Sequence, residues 1–434
     1  MPIDPLILIF DIGKTNKKVF VFNEKYEIIY QKDQQIAEIE DEDGFPCEDL
    51  DSLESWINRS YLDLIRSEMM FPKAVNFSAY GASFVHVDEN KRSLTPLYNY
   101  LKPFPGDLQK RFYEQYGGLE RFAVETASPI LGNLNSGLQL YRLKMQKPKV
   151  FARIKYSMHL PQYLSWTFTE KAYSDITSIG CHTGLWDFRL NDYHLWVKEE
   201  GIINKLPPIL ASDETVIIDG SFIGGIGLHD SSAALIPYLS SFKDPFVLIS
   251  TGTWCISLNP FNQSPLTVEE LKVDCLCYKD YKGKSVKAAR LFAGHEHEQA
   301  VKKIADLFQL SPNFYRDINF DTIISNNLNP NAIEAYYDFM VGLVAKQVES
   351  TNLVLNGSAV RDIYVDGGFS KNTVYMNLLA QAYSDKRVWA ATVAQSTALG
   401  AAIAIHSDWN KKDLPSGLIE KRLFKPGKEN FKII

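Results

Sequence analysis

Apolar and polar positions near the amino end form two short apolar runs separated by a polar stretch. Residues 6–10 and 19–22 are rich in β-branched and aromatic side chains. Both runs are too short for a helix, so the pattern predicts two buried strands. The intervening residues 13–16 contain a glycine and polar side chains, which is typical of a tight turn. The chain is therefore predicted to open with a β-hairpin.

The remaining pattern predicts a mixed α/β organisation in two similar halves. After the hairpin, the first half is predicted to contain a strand near 28–30, an acidic loop at 38–43, a helix at 50–70, a strand at 73–80 and a mostly helical region at 108–196. The second half is predicted to contain a hairpin at 245–258, a helix at 331–356, a strand at 362–366 and helices at 372–383 and 396–406. Because both halves open with a hairpin, we expect a duplicated domain with its join within residues 235–244.

Length and composition narrow the class of protein. The 434 residues, 45% of them hydrophobic, suffice for two domains with sizeable cores. A net charge of −6 without a long basic block argues against nucleic acid as a partner. No apolar stretch approaches the ~18 residues that cross a bilayer, so we expect a cytoplasmic protein without a membrane partner. The odd number of cysteines fits reduced thiols, and Cys275 and Cys277 lack a second pair at metal-ligand spacing, which favours isolated thiols over zinc.

The first turn carries the most informative candidate chemistry. Turn N–H groups, with the side chains of Thr15 and Asn16 and neighbouring lysines, can hold phosphate oxygens. Asp11, at the end of the first strand, can attract Mg²⁺ directly or through water. The alternative interpretation is an ordinary hairpin with a solvated, charged turn.

Three further segments combine glycine with hydroxyl or carboxylate side chains, and each also has a plain structural interpretation. They are the possible phosphate turn 250–253, the glycine-rich approach 224–234 that delivers Asp230 to the start of a helix, and the strand-to-helix segment 364–372. The plain interpretations are a hairpin turn, a helix N-cap at Asp230 and a sharp connection. Capping alone would not require three preceding glycines. The chain lacks the P-loop, protein-kinase and dinucleotide-binding motifs, which excludes those classes.

Together these motifs resemble a known superfamily. Residues 11–15, 250–254, 366–368 and 397–402 are similar to the two phosphate motifs and the adenosine motif of the actin, hexokinase and sugar-kinase superfamily. Residues 227–233 resemble the catalytic segment of the FGGY carbohydrate kinases. Further similarity to the rhamnulokinase branch lies in residues 49–54, 80–85 and 160–165.

The resemblance implies an α/β fold with two ribonuclease-H-like, actin-like ATPase domains and an interdomain cleft. The expected domains are a sugar-binding domain at 1–240 and a nucleotide-binding domain at 241–434, with the last helix able to pack back on the first domain. ATP and Mg²⁺ are the implied cofactors, and the implied partner is a small sugar bound by a monomer or homodimer.

The resemblance also implies a role for individual residues. Asp230 would be the general base, Asp11 would lie near the metal ion, and Gly81, His229 and Ser231 would contact the sugar. The implied ATP-binding residues are Gly13, Lys14, Thr15, Asn16, Lys17, Lys18, Thr253, Gln299, Gly367 and Gly368.

The predicted activity is transfer of the γ-phosphate of ATP to a hydroxyl of a ketose or polyol similar to L-rhamnulose or L-fuculose. Residues 98–100 and 179–183 depart from the sugar-contacting segments of the family, so an altered sugar pocket is expected. Two alternatives remain open: an ATPase or phosphohydrolase of the same superfamily, and a sugar-sensing protein without catalysis.

Overall fold

The computed structural model describes residues 5–66, 70–318, 320 and 329–425. The chain divides into two compact units. The first comprises Met1–Ser240, Cys277–Ser285 and Ala394–Leu418, and the second comprises Ser241–Leu276, Val286–Val393 and Ile419–Ile434. Among the described residues, no helix combines the length and the hydropathy needed to cross a membrane.

The strands are numbered in chain order. They are β1 (Ile7–Ile12), β2 (Lys17–Phe22), β3 (Ile28–Gln34), β4 (Ile39–Glu40), β5 (Pro46–Cys47), β6 (Ala74–Ala79), β7 (Phe84–Val87), β8 (Tyr156–His159), β9 (Ser174–Asp175), β10 (Trp186–Asp187), β11 (Asp192–Tyr193), β12 (Ile209–Leu210), β13 (Thr215–Asp219), β14 (Phe222–Gly225), β15 (Leu228–His229), β16 (Phe246–Thr251), β17 (Cys255–Asn259), β18 (Cys275–Lys279), β19 (Ser285–Leu291), β20 (Asp362–Gly367), β21 (Arg387–Thr392) and β22 (Glu420–Phe424).

The α-helices are numbered in the same way. They are α1 (Leu50–Arg66), α2 (Gly106–Gln115), α3 (Leu119–Thr126), α4 (Ser136–Gln146), α5 (Pro148–Arg153), α6 (Leu160–Thr169), α7 (Ile176–Ile179), α8 (Leu195–Glu199), α9 (Asp230–Ser241), α10 (Val268–Lys272), α11 (Ala293–Phe308), α12 (Pro330–Leu355), α13 (Thr373–Ala382), α14 (Ser396–Ala404) and α15 (His406–Trp409).

The two main sheets share one strand order. In the first unit, β1 pairs antiparallel with β2 and parallel with β6, while β2 pairs antiparallel with β3. In the second unit, β16 pairs antiparallel with β17 and parallel with β20, while β17 pairs antiparallel with β19. In each sheet, three antiparallel strands lie side by side and the first of them also pairs with a parallel neighbour, although β18 intervenes in sequence between β17 and β19. This repetition agrees with the duplicated architecture that the sequence predicts.

Central strands that are buried along nearly their whole length supply the cores of both units. β1, β2 and β6 are almost entirely buried, and the core of the first sheet includes Leu8, Phe10, Phe77 and Trp56 of α1. The helix α12 contributes buried apolar side chains along its length to the core of the second unit. Burying a large apolar side chain stabilises a fold by about 1.5–3 kcal/mol. These cores hold the strand ends that carry the polar motifs.

Most predicted elements are confirmed, with local differences. Both hairpins, the strand β20 and the helices α1, α12, α13 and α14 lie where the pattern predicts them, although the end of the first predicted helix lies outside the described residues. The predicted acidic loop contains the short strand β4, which pairs with β5. The predicted helical region 108–196 also contains short strands. One of them, β8, pairs with β7, which lies about 70 residues earlier in the sequence.

Candidate functional site

Asp11 lies near the carboxyl end of β1 in the first unit. It stands opposite Lys18 of β2 and Ser78 of β6 in the sheet register. Its carboxylate accepts a hydrogen bond from the Thr397 hydroxyl at 2.8 Å. Burial raises the pKa of Asp11 to about 6, the Thr397 hydrogen bond opposes that shift, and the charge of Asp230 adds to it. The carboxylate is therefore held in place by Thr397, and its negative charge is destabilised by burial and by Asp230.

The turn between β1 and β2 is closed by its own backbone. The Gly13 N–H donates to the Asn16 carbonyl at 2.9 Å. A Cβ atom at Gly13 would lie 3.0 Å from the same carbonyl oxygen, so a side chain there would crowd the turn. Thr15 and Asn16 are exposed, and Lys18 donates to Gln395 at 3.2 Å. The turn thus presents polar groups to solvent beside Asp11.

The three lysines of this turn have different environments. Lys14 pairs with Glu38 at 2.5 Å on the surface. Lys17 is buried and pairs with Glu48 at 2.7 Å. The expected phosphate contact of Lys17 is therefore corrected: its ammonium points into the unit, because a buried carboxylate neutralises it there. Lys14 and Lys18 remain on the accessible side of the turn, where both side chains are at most partly buried.

Asp230 directly follows β15 and is the first residue of α9. An N-cap residue would instead precede the first residue of the helix. Its Oδ1 accepts from the Ser231 N–H at 2.6 Å and from the Ser231 hydroxyl at 3.3 Å. An N-cap side chain accepts from the second or third amide of the helix, which is not the bond made here. The side chain is 34% exposed. The carboxylate therefore combines a fixed position with an accessible face.

His229 is buried beside Asp230 and against Gly81. The His229 Nε2 atom lies 3.4 Å from the Asp230 Oδ1 atom. Burial lowers the pKa of His229, with the Asp230 charge opposing that shift, so the ring is neutral near pH 7. A Cβ atom at Gly81 would lie 2.5 Å from His229 Cδ2, which is closer than real Cβ contacts. Gly81 is required because the imidazole occupies the space of a side chain.

Buried amides hold the glycine-rich approach to Asp230. The Asn76 side chain accepts from the Gly227 N–H at 3.1 Å and donates to the Ala401 carbonyl of α14 at 2.8 Å. The Gln162 amide donates to the Gly227 carbonyl at 2.8 Å. Gly227 has φ of +84°, a backbone conformation that residues with a side chain rarely adopt. Asn76 thus links the Asp230 segment to the helix that carries Thr397, a role the sequence analysis did not find.

A buried carboxylate supports the same segment from the other side. Asp175 accepts from the Thr177 N–H at 2.8 Å and from the hydroxyls of Thr177 and Ser212. The Thr177 hydroxyl oxygen in turn accepts from the His229 N–H at 3.0 Å. Burial raises the pKa of Asp175 to about 6, despite hydrogen bonds from Ser212 and Thr177 that lower it. Sequence reasoning had no signal for this chain of contacts, because Ser212 and His229 are far from Asp175 and Thr177 in the sequence.

Asp175 provides a test of this support through the pH dependence of stability. Its folded pKa of about 6 exceeds the unfolded value of 3.8, so its stabilising contribution is present below pH 3.8 and is lost as pH rises through 6. Asp175→Asn resembles the uncharged carboxylic acid, since it has one acceptor oxygen, a donor group in place of the other oxygen and no charge. We expect the variant to gain up to about 3 kcal/mol of unfolding free energy relative to wild type between pH 4 and 7. Urea unfolding at both pH values measures the difference, and a constant difference would contradict the burial of a charged Asp175.

Close backbone approaches shape the motif turns of the second unit. A Cβ atom at Gly294 would lie 1.9 Å from the Gly252 carbonyl oxygen. A Cβ atom at Gly367 would lie 1.9 Å from the Thr251 carbonyl oxygen, and Gly367 has φ of +88°. The Thr251 hydroxyl accepts from the Phe369 N–H at 3.0 Å. Only glycine fits these two positions, which brings the 250–253 and 366–368 motifs together.

The second unit contains an open pocket of about 640 Å³ between these motifs and α11. It is lined by Gly252, Gly294, His297, Tyr315, Arg316, Ile318, Gly368, Phe369, Lys371, Asn372 and Thr373. Gln299 is exposed on α11 and is not among the lining residues. His297 and Arg316 were missed by the sequence analysis. Because its walls combine aromatic rings, two cationic side chains and close backbone, the pocket suits a flat ring carrying phosphate.

The predicted site residues therefore form two groups. Asp11, the 13–18 turn, Gly81 and the 229–231 segment belong to the first unit. Thr253, Gly367 and Gly368 belong to the second unit, and Thr253 is exposed.

Comparison with known proteins gives sequence relatives for both units. Residues 6–218 match the N-terminal domain of the FGGY family of carbohydrate kinases. Residues 243–328 and 314–406 match two models of the FGGY C-terminal domain. A rhamnulokinase from Halalkalibacterium halodurans is 28% identical over 190 residues, which cover 42% of this chain and 39% of that protein. The matched stretch thus spans less than half of that curated relative's length.

Solved structures share the fold over nearly the whole chain. A carbohydrate kinase from Novosphingobium aromaticivorans has a TM-score of 0.79 at 21% identity, covering 98% of this chain and 97% of that one. A glycerol kinase from Plasmodium falciparum, solved with ADP, has a TM-score of 0.74 at 14% identity, covering 93% and 90%. The predicted actin-like α/β fold class is confirmed. Since the family models match domains at both ends of the sequence, the chain belongs to the FGGY family of carbohydrate kinases.

Proposed function

We propose that this protein is an ATP-dependent sugar kinase that phosphorylates a hydroxyl of a ketose or polyol of the L-rhamnulose or L-fuculose type. The observation that carries this proposal is the position of Asp230. Its carboxylate is fixed by Ser231, partly exposed and flanked by the neutral ring of His229. A base in this setting has an open face toward an incoming hydroxyl.

Asp230 is proposed to accept the proton of the acceptor hydroxyl. As that oxygen forms its bond to the γ-phosphorus, the bond to the β-γ bridging oxygen breaks and ADP leaves. The hydroxyl proton passes to the carboxylate of Asp230. His229 and Ser231 are proposed to orient the sugar, because both lie directly beside that carboxylate. Because Gly81 packs closely against His229, the imidazole ring is held in this arrangement.

The residues around Asp11 fit a hard divalent cation such as Mg²⁺. Asp11 offers carboxylate oxygen, the ligand type that Mg²⁺ prefers, and its charge is destabilised by burial and by Asp230. A bound ion would neutralise charge on the phosphate oxygens. Asp11 is proposed to hold that ion, directly or through water, with the 13–16 turn and Lys18 contributing phosphate contacts.

The pocket of the second unit is the proposed site of the nucleotide. Gly368 and Gly252 offer close backbone, and Arg316 and Lys371 offer positive charge. Thr253 is proposed to contact the terminal phosphate and Gly367 the nucleotide. Thr253 and Gly367 directly adjoin the lining residues Gly252 and Gly368, whereas Gln299 neither lines the pocket nor adjoins a lining residue and is therefore left out of this proposal.

The choice of sugar rests on the rhamnulokinase similarity, which covers only part of the chain. The segments 98–100 and 179–183 differ from the family pattern, so related sugars belong in the test. We place the enzyme in the cytoplasm, where reduced cysteines such as Cys181 and Cys255 persist, as a monomer or homodimer.

A product-resolved screen tests this function. Purified protein with ATP and Mg²⁺ is supplied with L-rhamnulose, L-fuculose, D-xylulose, glycerol or no acceptor, and ADP and sugar phosphate are measured separately. We expect ADP release matched by sugar phosphate for one ketose or polyol. ADP or phosphate release without sugar phosphate would favour the ATPase alternative, and sugar binding without turnover would favour the sensing alternative. Either result would overturn the proposed activity.

Gly81→Val tests the sugar side of the site. The new side chain would displace the His229 ring, so we expect the sugar KM to rise more than about tenfold while ATP affinity is kept. Gly106→Ala is the matched control, since a Cβ atom there meets nothing within 4 Å. Steady-state kinetics and nucleotide calorimetry measure both quantities. Lost ATP affinity with an unchanged sugar KM would show that Gly81 faces the wrong ligand.

A further inference from the structure

A fully buried ion pair lies beneath the first turn. The side chains of Lys17 and Glu48 are 1% and 2% exposed, and their Nζ and Oε1 atoms are 2.7 Å apart. Removing two charges from water is unfavourable by several kcal/mol per ion unless good geometry compensates. Such a pair is therefore a weak source of stability, and its position beside the site suggests a different role.

The ammonium of Lys17 has all of its donors engaged. Besides the Glu48 carboxylate, Lys17 Nζ donates to the Gly13 carbonyl at 3.2 Å and to the Lys14 carbonyl at 3.0 Å. A lysine ammonium has three N–H donors, so none is left for a phosphate. Two carbonyls of the turn are thereby held toward the interior by one buried cation.

The second oxygen of Glu48 reaches the other side of the site. The Tyr80 hydroxyl donates to Glu48 Oε2 at 3.1 Å. Tyr80 is buried, its N–H donates to the Ile12 carbonyl at 3.1 Å, and it directly precedes Gly81. The Glu48 carboxylate thus contacts two residues. One is Lys17, which holds the 13–16 turn, and the other is Tyr80, which directly precedes Gly81.

The backbone of Glu48 is itself anchored. Glu48 forms an antiparallel bridge with Leu97, immediately before the segment 98–100 that departs from the family pattern. The Asn99 amide donates to the Pro46 carbonyl at 3.1 Å. The carboxylate is therefore held in place by contacts independent of Lys17 and Tyr80.

We propose that Glu48 is a positioning residue. It holds the 13–16 turn through Lys17, and it holds the sugar side of the site, where Gly81 packs against His229, through Tyr80. Neither Glu48 nor Lys17 touches substrate in this proposal, which rests on the proposed kinase function. The two contacts of the Glu48 carboxylate should therefore affect different substrates. The contact with Lys17 should affect ATP, and the contact with Tyr80 should affect the sugar.

Three variants separate the two arms. Tyr80→Phe removes only the hydroxyl that binds Glu48, and we expect the sugar KM to rise roughly 3- to 10-fold with little change in the ATP KM. The double variant Lys17→Met/Glu48→Gln removes the pair without leaving a buried charge, and we expect both KM values to rise by roughly 10- to 100-fold. Lys17→Met/Glu48→Gln/Tyr80→Phe should add little to the double variant, because Tyr80 has already lost its charged acceptor.

Lys287→Met/Glu270→Gln is the matched control. This pair also has a buried lysine, 3% exposed, at 2.5 Å from its partner, and it lies in the second unit. We expect both KM values to stay near wild type in this control, whatever the change in melting temperature. If the control raises them as much as Lys17→Met/Glu48→Gln does, the Lys17–Glu48 pair acts only through general stability and the proposal falls.

Amide hydrogen exchange gives a readout that does not need catalysis. In Lys17→Met/Glu48→Gln, we expect faster exchange across residues 13–18 and 80–81, with protection in β16 and β20 unchanged. Unchanged exchange in both segments would overturn the positioning role even in an active enzyme. If the wild-type protein phosphorylates no sugar but Lys17→Met/Glu48→Gln still shows the faster exchange, the proposed function is contradicted and the link between the two segments stands.

Discussion

Asp230→Asn is expected to lower kcat for sugar phosphorylation by at least two orders of magnitude, because a general base contributes ~10²–10⁴-fold. The amide has the same size as the carboxylate and can still accept the Ser231 N–H bond. The variant therefore removes proton acceptance and little else. We expect ATP affinity and the melting temperature to stay close to wild type, measured by calorimetry and by thermal unfolding.

Asp230→Ala distinguishes catalysis from helix support. The helix α9 begins at Asp230, and alanine removes both the Ser231 contacts and the charge. If Asp230 only supported the helix, Asp230→Ala would lose stability while Asp230→Asn kept normal turnover. Wild-type phosphorylation by Asp230→Asn would remove Asp230 from the mechanism.

Asp11→Ala is expected to have the second large effect. A carboxylate near a catalytic cation stabilises charge worth several kcal/mol, so its loss should reduce turnover by more than about 100-fold at saturating Mg²⁺. The reduction should be accompanied by weaker binding of Mn²⁺ in the presence of ATP, measured by electron paramagnetic resonance. That measurement does not depend on the identity of the sugar.

Thr397→Val is the control for Asp11. It removes the hydroxyl that donates to the carboxylate at 2.8 Å and leaves the carboxylate itself. We expect a loss of turnover of about tenfold, the lower end of what a hydrogen bond to a charged group contributes, because the carboxylate itself remains. Unchanged turnover in Asp11→Ala would exclude a metal role for this residue.

The hairpins and long helices were predictable because their signals are local. β1, β2, β16 and β17 are short apolar runs around polar turns, and a run of that kind has few other solutions. Asp11, near the end of a predicted strand, and Asp230, after a glycine-rich approach, could be singled out from the sequence, and the family resemblance implied their roles. Their roles as metal ligand and base stay predictions.

The contacts that tune the site were not predictable because they depend on tertiary structure. A charged turn gives no sign that Lys17 points inward, since its partner Glu48 approaches from a separate loop. The proximity of His297 and Arg316 to Gly368 likewise depends on how α11 and its following segment pack. The sequence pattern indicates which side of a helix or strand is apolar. Which distant segment packs against that side depends on the tertiary structure.

The dependence of Asp11 on α14 has a consequence for biosynthesis. Thr397 and the Ala401 carbonyl, which bind Asp11 and Asn76, belong to the segment Ala394–Leu418 of the first unit. A Cβ atom at Gly400 would lie 1.9 Å from the Ala233 carbonyl oxygen, so this helix docks with almost no tolerance. On the ribosome, the first unit emerges long before its last segment. The carboxylates of Asp11 and Asp230 acquire their final surroundings only after most of the second unit, up to Val393, has been synthesised, which delays the formation of a competent site.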